Sequence, residues 1–515
     1  LPASQASSAA GQRPPCPAAM LQFDGGESVA FEDARHNTLV LGTTGSGKTA
    51  SIILPAAERL IAAGFGGLIV DIKGNFTDQI RAIARAHGRE KDILELGTGP
   101  QARKINLFAG ASATRISDLM QQFMLCCSAS YDPNRSFHLR GLRCVVALIV
   151  MLRKVAEYGR LPAHLCVLER MMNDPAYALK CFTRFREHIH DETDPESRDL
   201  VMRILGDRFH IVPQNAKRAD DSTWQEQVGY RLGVVRTAIQ MLRQTGNLEE
   251  QFFAPRKAGL DIAGEIYRRR RIVVLRLAPD SGELGAMLAR TLLRDYYAAV
   301  YAHGLGLPQG RYTFCITDEA QDFISVDRMD QFNDNSFLAR NREYRNINVM
   351  GTQSVAALVA RTHDREAVEA MLNNFNVRIF FYSDDPQTQR LADVHDQTPL
   401  TSYRRGQGLL VKIDAAAGRR VVGQVSVQHM HDRLQTLQAA CGGQNSATAL
   451  PCRPLSRQRL ARKARQELEL TEAYLHPLPH RGAPGSRTGQ RKADKPDGPR
   501  SPFLGTELPF GPAED

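Results

Sequence analysis

The chain has 515 residues, 43% of them hydrophobic and 24% charged, a composition close to that of soluble globular proteins. A wholly disordered chain is therefore excluded, and at about 150 residues per domain the length predicts about three domains. A formal charge of +10 favours a polyanionic partner, although arginine carries most of it and genomic base composition gives the same skew.

Nine cysteines, an odd number with no CxxC pair, exclude a zinc ribbon and a secreted disulfide scaffold and fit a reducing cytoplasm. No apolar run reaches the roughly 18 residues of a membrane span. The longest, Cys144 to Leu152 between Arg143 and Arg153, predicts a buried helix core. The amino end lacks the basic start and apolar stretch of a signal peptide. No Met precedes Met20, so the natural start is expected to be missing or misplaced.

In chain order, residues 1–19 are rich in Ala, Ser and Pro and are expected to be unstructured. Thr38–Leu41 predicts a buried strand, followed by a Gly-rich turn, a helix from about Lys48 to Ala63, and a second strand at Gly67–Asp71. Strand, helix, strand at this spacing is a βαβ unit and implies a parallel sheet. From about 113 to 250 helical stretches dominate, such as Gly141–Tyr158 and Gly229–Gln244, and predict an all-helical insertion. Strands resume at Ile272–Leu277, Tyr312–Thr317, Ile347–Met350 and Val377–Tyr382. After the first of these comes a helix with Leu284, Met287, Leu288, Thr291 and Leu292 on one face. Gly408–Ile413 and Arg420–Val427 predict a closing hairpin. A basic run from Arg453 to Arg465 and a Pro- and Gly-rich tail from Pro477 end the chain.

Gly42-Thr43-Thr44-Gly45-Ser46-Gly47-Lys48-Thr49 fits GxxxxGK[ST] in full, with Ala50 following. Such glycines let successive N–H groups turn onto phosphates at a helix N-terminus, where the dipole also favours anions. Lys48 would reach the β- and γ-phosphates of ATP, and the Thr49 hydroxyl would ligate Mg²⁺. Tyr312–Thr317 leads into Asp318-Glu319. At a buried strand end this places Asp318 for the metal and Glu319 to orient or deprotonate the attacking water. Ile347–Met350 ends in Gly351-Thr352-Gln353-Ser354, which would set the Gln353 amide beside the γ-phosphate. Arg340, Arg342 and Arg345 precede that strand; one of them could serve a neighbouring subunit as an arginine finger, or all could lie on a solvated face.

These residues resemble a family. The Gly42–Thr49 loop, Asp71-Ile72-Lys73-Gly74 after the second strand, Asp318-Glu319-Ala320-Gln321, and Arg342-Glu343-Tyr344 leading to Thr352-Gln353-Ser354 look like the coupling-protein ATPases of type IV secretion and conjugation. The D-x-K-G element is the most discriminating piece, and the resemblance spans roughly residues 35–430. It implies an α/β, RecA-like P-loop NTPase with a mainly parallel central sheet, interrupted by an all-helical domain. The divisions expected are an N-terminal segment (1–34), a first nucleotide-binding part (35–112), the helical insertion (113–255), a second nucleotide-binding part (256–435), and a basic helix and tail (436–515).

The resemblance further implies a homo-hexamer at the cytoplasmic face of the bacterial inner membrane. Such a ring would drive DNA, single-stranded and with attached relaxase or other protein, through type IV secretion channel components. Residue by residue it assigns ATP to Lys48 and Thr49, metal to Asp318, water activation to Glu319 and phosphate sensing to Gln353. Asp71 and Lys73 match the motif beside the site, and Arg342 falls where the motif's arginine sits. Family members usually carry transmembrane helices upstream. Either that segment is missing here or the chain is a soluble variant. Two alternatives stand beside a DNA motor: an effector-protein secretion ATPase without DNA binding, and a nucleotide-binding adaptor that does not hydrolyse.

Other signals are weaker. Glu187-His188-Ile189-His190-Asp191-Glu192 and His429-Met430-His431 lack the spacing of paired metal ligands. Arg268 to Arg271 suit either a phosphate backbone or a solvated loop. The Arg453–Arg465 run could grip nucleic acid or an anionic membrane surface, although its weak amphipathicity favours a solvated helix; Trp224 reads as core packing, and no aromatic platform for single strands is visible.

Overall fold

A computed structural model describes residues 19–127, 135–159, 165–188, 195–208, 222–244, 247–254, 257–327, 332–415 and 417–426. The basic run, the tail, His429–His431 and most of the Glu187–Glu192 stretch lie outside these residues, as does the Trp224 side chain.

Eleven strands appear among the described residues. β1 (Ala19–Gln22) and β2 (Ser28–Ala30) form a small antiparallel pair. The remainder are β3 (Thr38–Leu41), β4 (Gly66–Asp71), β5 (Ile93–Gly97), β6 (Ile272–Arg276), β7 (Thr313–Thr317), β8 (Asn346–Thr352), β9 (Val377–Phe380), β10 (Gln407–Ile413) and β11 (Arg420–Ser426). They build one nine-stranded sheet in the order β11-β10-β9-β3-β8-β7-β4-β6-β5. It is parallel from β9 to β5 and closes with antiparallel β10 and β11.

The central strands are buried on both faces, so they read as continuous apolar runs. The period-2 alternation is nevertheless written into the core. Leu39, Leu41, Leu68, Val70, Val273 and Leu275 point into one apolar layer. Val40, Ile69, Ile272, Val274, Phe314, Ile316, Val349 and Ile379 point into the other. The second layer is roofed by the helices Leu54–Ala62 and Thr77–Ala86. The first is roofed by Gly282–His303 and by the helical insertion. Each such fully buried Leu, Ile or Val contributes about 1.5–3 kcal/mol.

The insertion runs through helices at Ala113–Cys127, Arg135–Gly159, Leu165–Asn173, Pro175–His188, Pro195–Val201, Ser222–Gln244 and Asn247–Phe252. Cys144 to Leu152 lie at its centre, all buried. The chain leaves the sheet and returns to it at one place. The Ile105 and Leu107 amides donate to the carbonyls of Gln251 (2.7 Å) and Phe252 (2.9 Å), and the Ala254 amide donates back to Ile105 (2.9 Å). Phe108 and Phe253 pack with ring centroids 5.0 Å apart.

The sequence reading placed β3 correctly and missed three strands. β1 and β2 lie at the edge of the Ala-, Ser- and Pro-rich start. β5 carries Glu95 in its middle, a residue buried here because Arg81 pairs with it at 2.5 Å. The helix expected from Lys48 opens as a wider π-turn, Thr49–Ile53, before the regular helix Leu54–Ala62. Pro55 has no N–H for the Ser51 carbonyl, which accounts for the loosened turn.

Candidate active site

Four adjacent strands, β3, β8, β7 and β4, send their C-terminal ends to the same edge of the sheet. At about 4.8 Å per strand they span about 15 Å. The loop after each carries one part of the site.

After β3, Gly45 and Gly47 take φ values of 84° and 106°, a region open mainly to glycine. The loop is pinned from its flank: the Thr43 amide donates to the Tyr382 carbonyl (2.9 Å) and the Gly406 amide to that of Ser46 (3.3 Å). Lys48 is buried, and its ammonium donates to the carbonyls of Gly42 (2.5 Å) and Thr43 (3.2 Å). Burial holds its pKa below the ordinary lysine value, against the opposing pull of Glu319 and Asp318. Among the described residues no carboxylate pairs with it, and Ser46 Oγ is buried without a hydrogen-bond partner. A buried ammonium held only by backbone carbonyls and an orphaned hydroxyl in a glycine cradle fit a phosphate chain.

After β7, Asp318 Oδ2 accepts from the Thr49 hydroxyl at 2.6 Å. Burial raises the Asp318 pKa and the bond from Thr49 lowers it, with a net upward shift. A hydroxyl and a carboxylate oxygen in contact at a helix start are hard oxygen donors of the kind Mg²⁺ takes. β8 passes between β3 and β7, and Gly351 makes this contact possible: a Cβ there would lie 2.7 Å from Asp318 Oδ1 and 2.8 Å from Ile53 Cδ1.

Glu319 follows with φ 54° and ψ 46°. Its carboxylate collects three side-chain donors: Lys73 Nζ at 2.5 Å on Oε1, and Gln321 Nε2 at 2.6 Å and Gln353 Nε2 at 2.9 Å on Oε2. Burial works to raise its pKa, but the bonds from Lys73, Gln321 and Gln353 outweigh it and hold the group below the ordinary range. Gln321 is fixed in turn by the Thr352 hydroxyl, which donates to Oε1 at 2.9 Å.

After β4, Asp71 is fully buried. Its Oδ1 accepts from the Asn75 amide (3.1 Å). Its Oδ2 accepts from the Phe76 (3.1 Å) and Thr77 (2.9 Å) amides and the Thr77 hydroxyl (2.6 Å). It closes the loop and caps the helix Thr77–Ala86.

The structure thus brings together Lys48, Thr49, Asp318, Glu319, Gln353 and Lys73. It does not bring Arg342 to them. Arg342 lies in the turn Asn341–Tyr344 that enters β8, and its charge, together with burial and Arg35, lowers the pKa of His36, just before β3. β8 has seven residues, about 20 Å of strand, so Arg342 stands at the opposite edge of the sheet. Gln321 was quoted from sequence only as a motif position, with no part assigned to it; the Tyr382 carbonyl and Gly406 were not singled out, Tyr382 because its partner Thr43 is 339 residues away and Gly406 because its partner Ser46 is equally remote in the chain. Of the four consecutive arginines, Arg268 pairs with Asp261, and Arg269 and Arg271 pair with Glu265 at 2.8 and 3.1 Å. Among the described residues no group of three His, Cys, Asp or Glu could hold a metal ion, and no helix is long and apolar enough to cross a membrane.

A glycine-rich loop of P-loop pattern after one strand, an acidic pair after another and a third strand between them ending in Thr352-Gln353 define a RecA-like P-loop NTPase fold. The comparisons narrow this. No family model matches the chain. In sequence it is 25% identical over 313 residues to the Type 4 coupling protein DotL of Legionella pneumophila, across 55% of this chain and 38% of that protein. The chain therefore matches well under half the length of this curated relative. Among solved structures it is similar to the plasmid coupling protein TrwB in complex with the GTP analogue GDPNP. The TM-score is 0.53 at 13% identity, over 79% of this chain and 89% of that one. The complex of TrwB with ADP and Mg²⁺ gives the same values. The chain is similar in sequence to a type IV coupling protein and shares the fold of one, in agreement with its motifs.

Proposed function

We propose that the chain is an ATP-hydrolysing motor of the type IV coupling-protein kind. The observation that carries this is the meeting of Lys48, the Thr49–Asp318 pair, Glu319 and Gln353 at one sheet edge, from the three loops that follow β3, β7 and β8. Lys48 and the amides of Gly42 to Ala50 would hold the phosphates. Thr49 and Asp318 would hold Mg²⁺, which supplies charge neutralisation at the β- and γ-phosphates when bound. Glu319 would orient a water for in-line attack and take its proton, and Gln353 would leave Glu319 to contact the γ-phosphate. Arg342, too far from its own site, would serve a neighbour's, which supports a ring and, following the resemblance, a homo-hexamer. The net charge supports DNA as cargo, single-stranded DNA with attached relaxase in particular. The setting is then the cytoplasmic face of the bacterial inner membrane, against type IV secretion channel components.

Steady-state ATPase of the chain with single-stranded, double-stranded or no DNA tests this, beside Lys48→Ala and Glu319→Gln. The expected result is turnover that single-stranded DNA stimulates and that either substitution lowers by at least about 100-fold. Turnover indifferent to DNA would favour an effector-protein ATPase, and binding without turnover under every condition would favour the adaptor.

A further inference from the structure

The D-x-K-G motif sits beside the site, and its geometry assigns a part to each residue. Asp71 gives both carboxylate oxygens to the turn that follows it, and the Gly74 amide donates to the Asp71 carbonyl at 3.3 Å. Gly74 is left-handed at φ 65°, and a Cβ there would lie 2.5 Å from the Leu277 carbonyl oxygen. The turn is thereby locked on the sheet and holds the Lys73 backbone at a fixed point. From there the Lys73 ammonium meets Glu319 Oε1 at 2.5 Å. Lys73 is partly exposed while Glu319 is nearly enclosed, so the lysine closes the outer side of the carboxylate. Gln321 and Gln353 take the other oxygen.

We infer that Lys73 is a positioning residue for the water-activating carboxylate and not a ligand of the nucleotide. This rests on the hydrolytic function proposed above. A carboxylate on a left-handed backbone, with two neutral amides on one oxygen, has one strong contact to fix the direction of the other oxygen, and Lys73 makes it. Asp71 and Gly74 act at one remove, by fixing the turn from which Lys73 reaches. The motif as a whole is then an alignment device for Glu319, contributed by a strand three places from the one that carries the phosphate loop.

The test is ATPase kinetics of the full chain with Lys73→Met and Lys73→Arg, together with the affinity of each for a fluorescent, non-hydrolysable ATP analogue with Mg²⁺. Lys73→Met is expected to lower kcat about 10- to 100-fold with KM and analogue affinity within about 3-fold of wild type. Lys73→Arg should restore most of kcat. Affinity weakened tenfold or more would make Lys73 a phosphate ligand and overturn the inference, as would an unchanged kcat in Lys73→Met. A wild-type chain that binds the analogue and never turns over ATP, with or without DNA, would instead remove the hydrolytic function itself. The two failures are told apart by the wild-type rate.

Discussion

Glu319 occupies a backbone conformation that costs a non-glycine residue about 1–3 kcal/mol, and the site around it is packed closely enough to hold it there. Gly351 shows how little slack remains. Its backbone is ordinary strand, so only the volume of a side chain is forbidden there. Gly351→Ala should push Asp318 off Thr49, lowering Mg²⁺-dependent ATPase at least tenfold and destabilising the fold by about 1–3 kcal/mol. Urea midpoints and rates at saturating Mg²⁺ check this, and an unaltered rate would show that the Thr49–Asp318 contact is dispensable. The phosphate loop and the acidic pair were legible because local backbone requirements dictate them: glycines for positive φ, a lysine at a helix start, carboxylates just beyond a buried strand. Lys73 was legible as a motif position but not as a partner of Glu319, because the two are 246 residues apart in sequence. Asp71 was legible as a motif position too; that its oxygens are spent on three amides and a hydroxyl appears only once the turn is folded, although those partners are near in sequence.

At the scale of elements, the parallel strands announced themselves as short apolar runs after Asn or Arg, and β3, β6, β7, β8 and β9 were found with ends shifted by at most two residues. β5 was lost because its central Glu95 reads as surface until Arg81 is brought to it. The joint between the helices Gly282–His303 and Ala113–Cys127 was equally invisible. There Arg115 pairs with Asp295, and Arg294 approaches Asp118 at 3.3 Å. Burial pushes the Asp295 carboxyl up to about 6, against the opposing pull of Arg115. The native state thus binds this proton more tightly than the unfolded chain, whose Asp titrates near 3.9. The contribution of Asp295 is fully favourable below that value and is lost as pH rises through about 6. Asp295→Asn should therefore flatten the fall in urea midpoint between pH 4.5 and 7 relative to wild type. Parallel curves for the two proteins would remove Asp295 as the source.

At the scale of the whole molecule, one chain holds a phosphate site at one edge of the sheet and Arg342 at the other. Neither edge suffices alone if the arginine acts on a neighbour. Glu319→Gln and Arg342→Ala would each be inactive separately, yet their mixture should recover measurable turnover. A Glu319→Gln subunit can lend its arginine to an Arg342→Ala subunit whose carboxylate is intact. Mixtures no more active than either variant would place the finger elsewhere, at Arg340 or Arg345, or remove it. The path of the chain carries a different consequence. Residues 105–107 and 251–254 are stitched together by backbone bonds, so the long helical excursion between them begins and ends at one doorway. Lengthening or shortening that excursion shifts the register of no strand, and the loops that carry Lys48, Asp318, Glu319 and Gln353 stay where they are. A lineage could thus remodel whatever its helices meet outside while inheriting an unaltered engine.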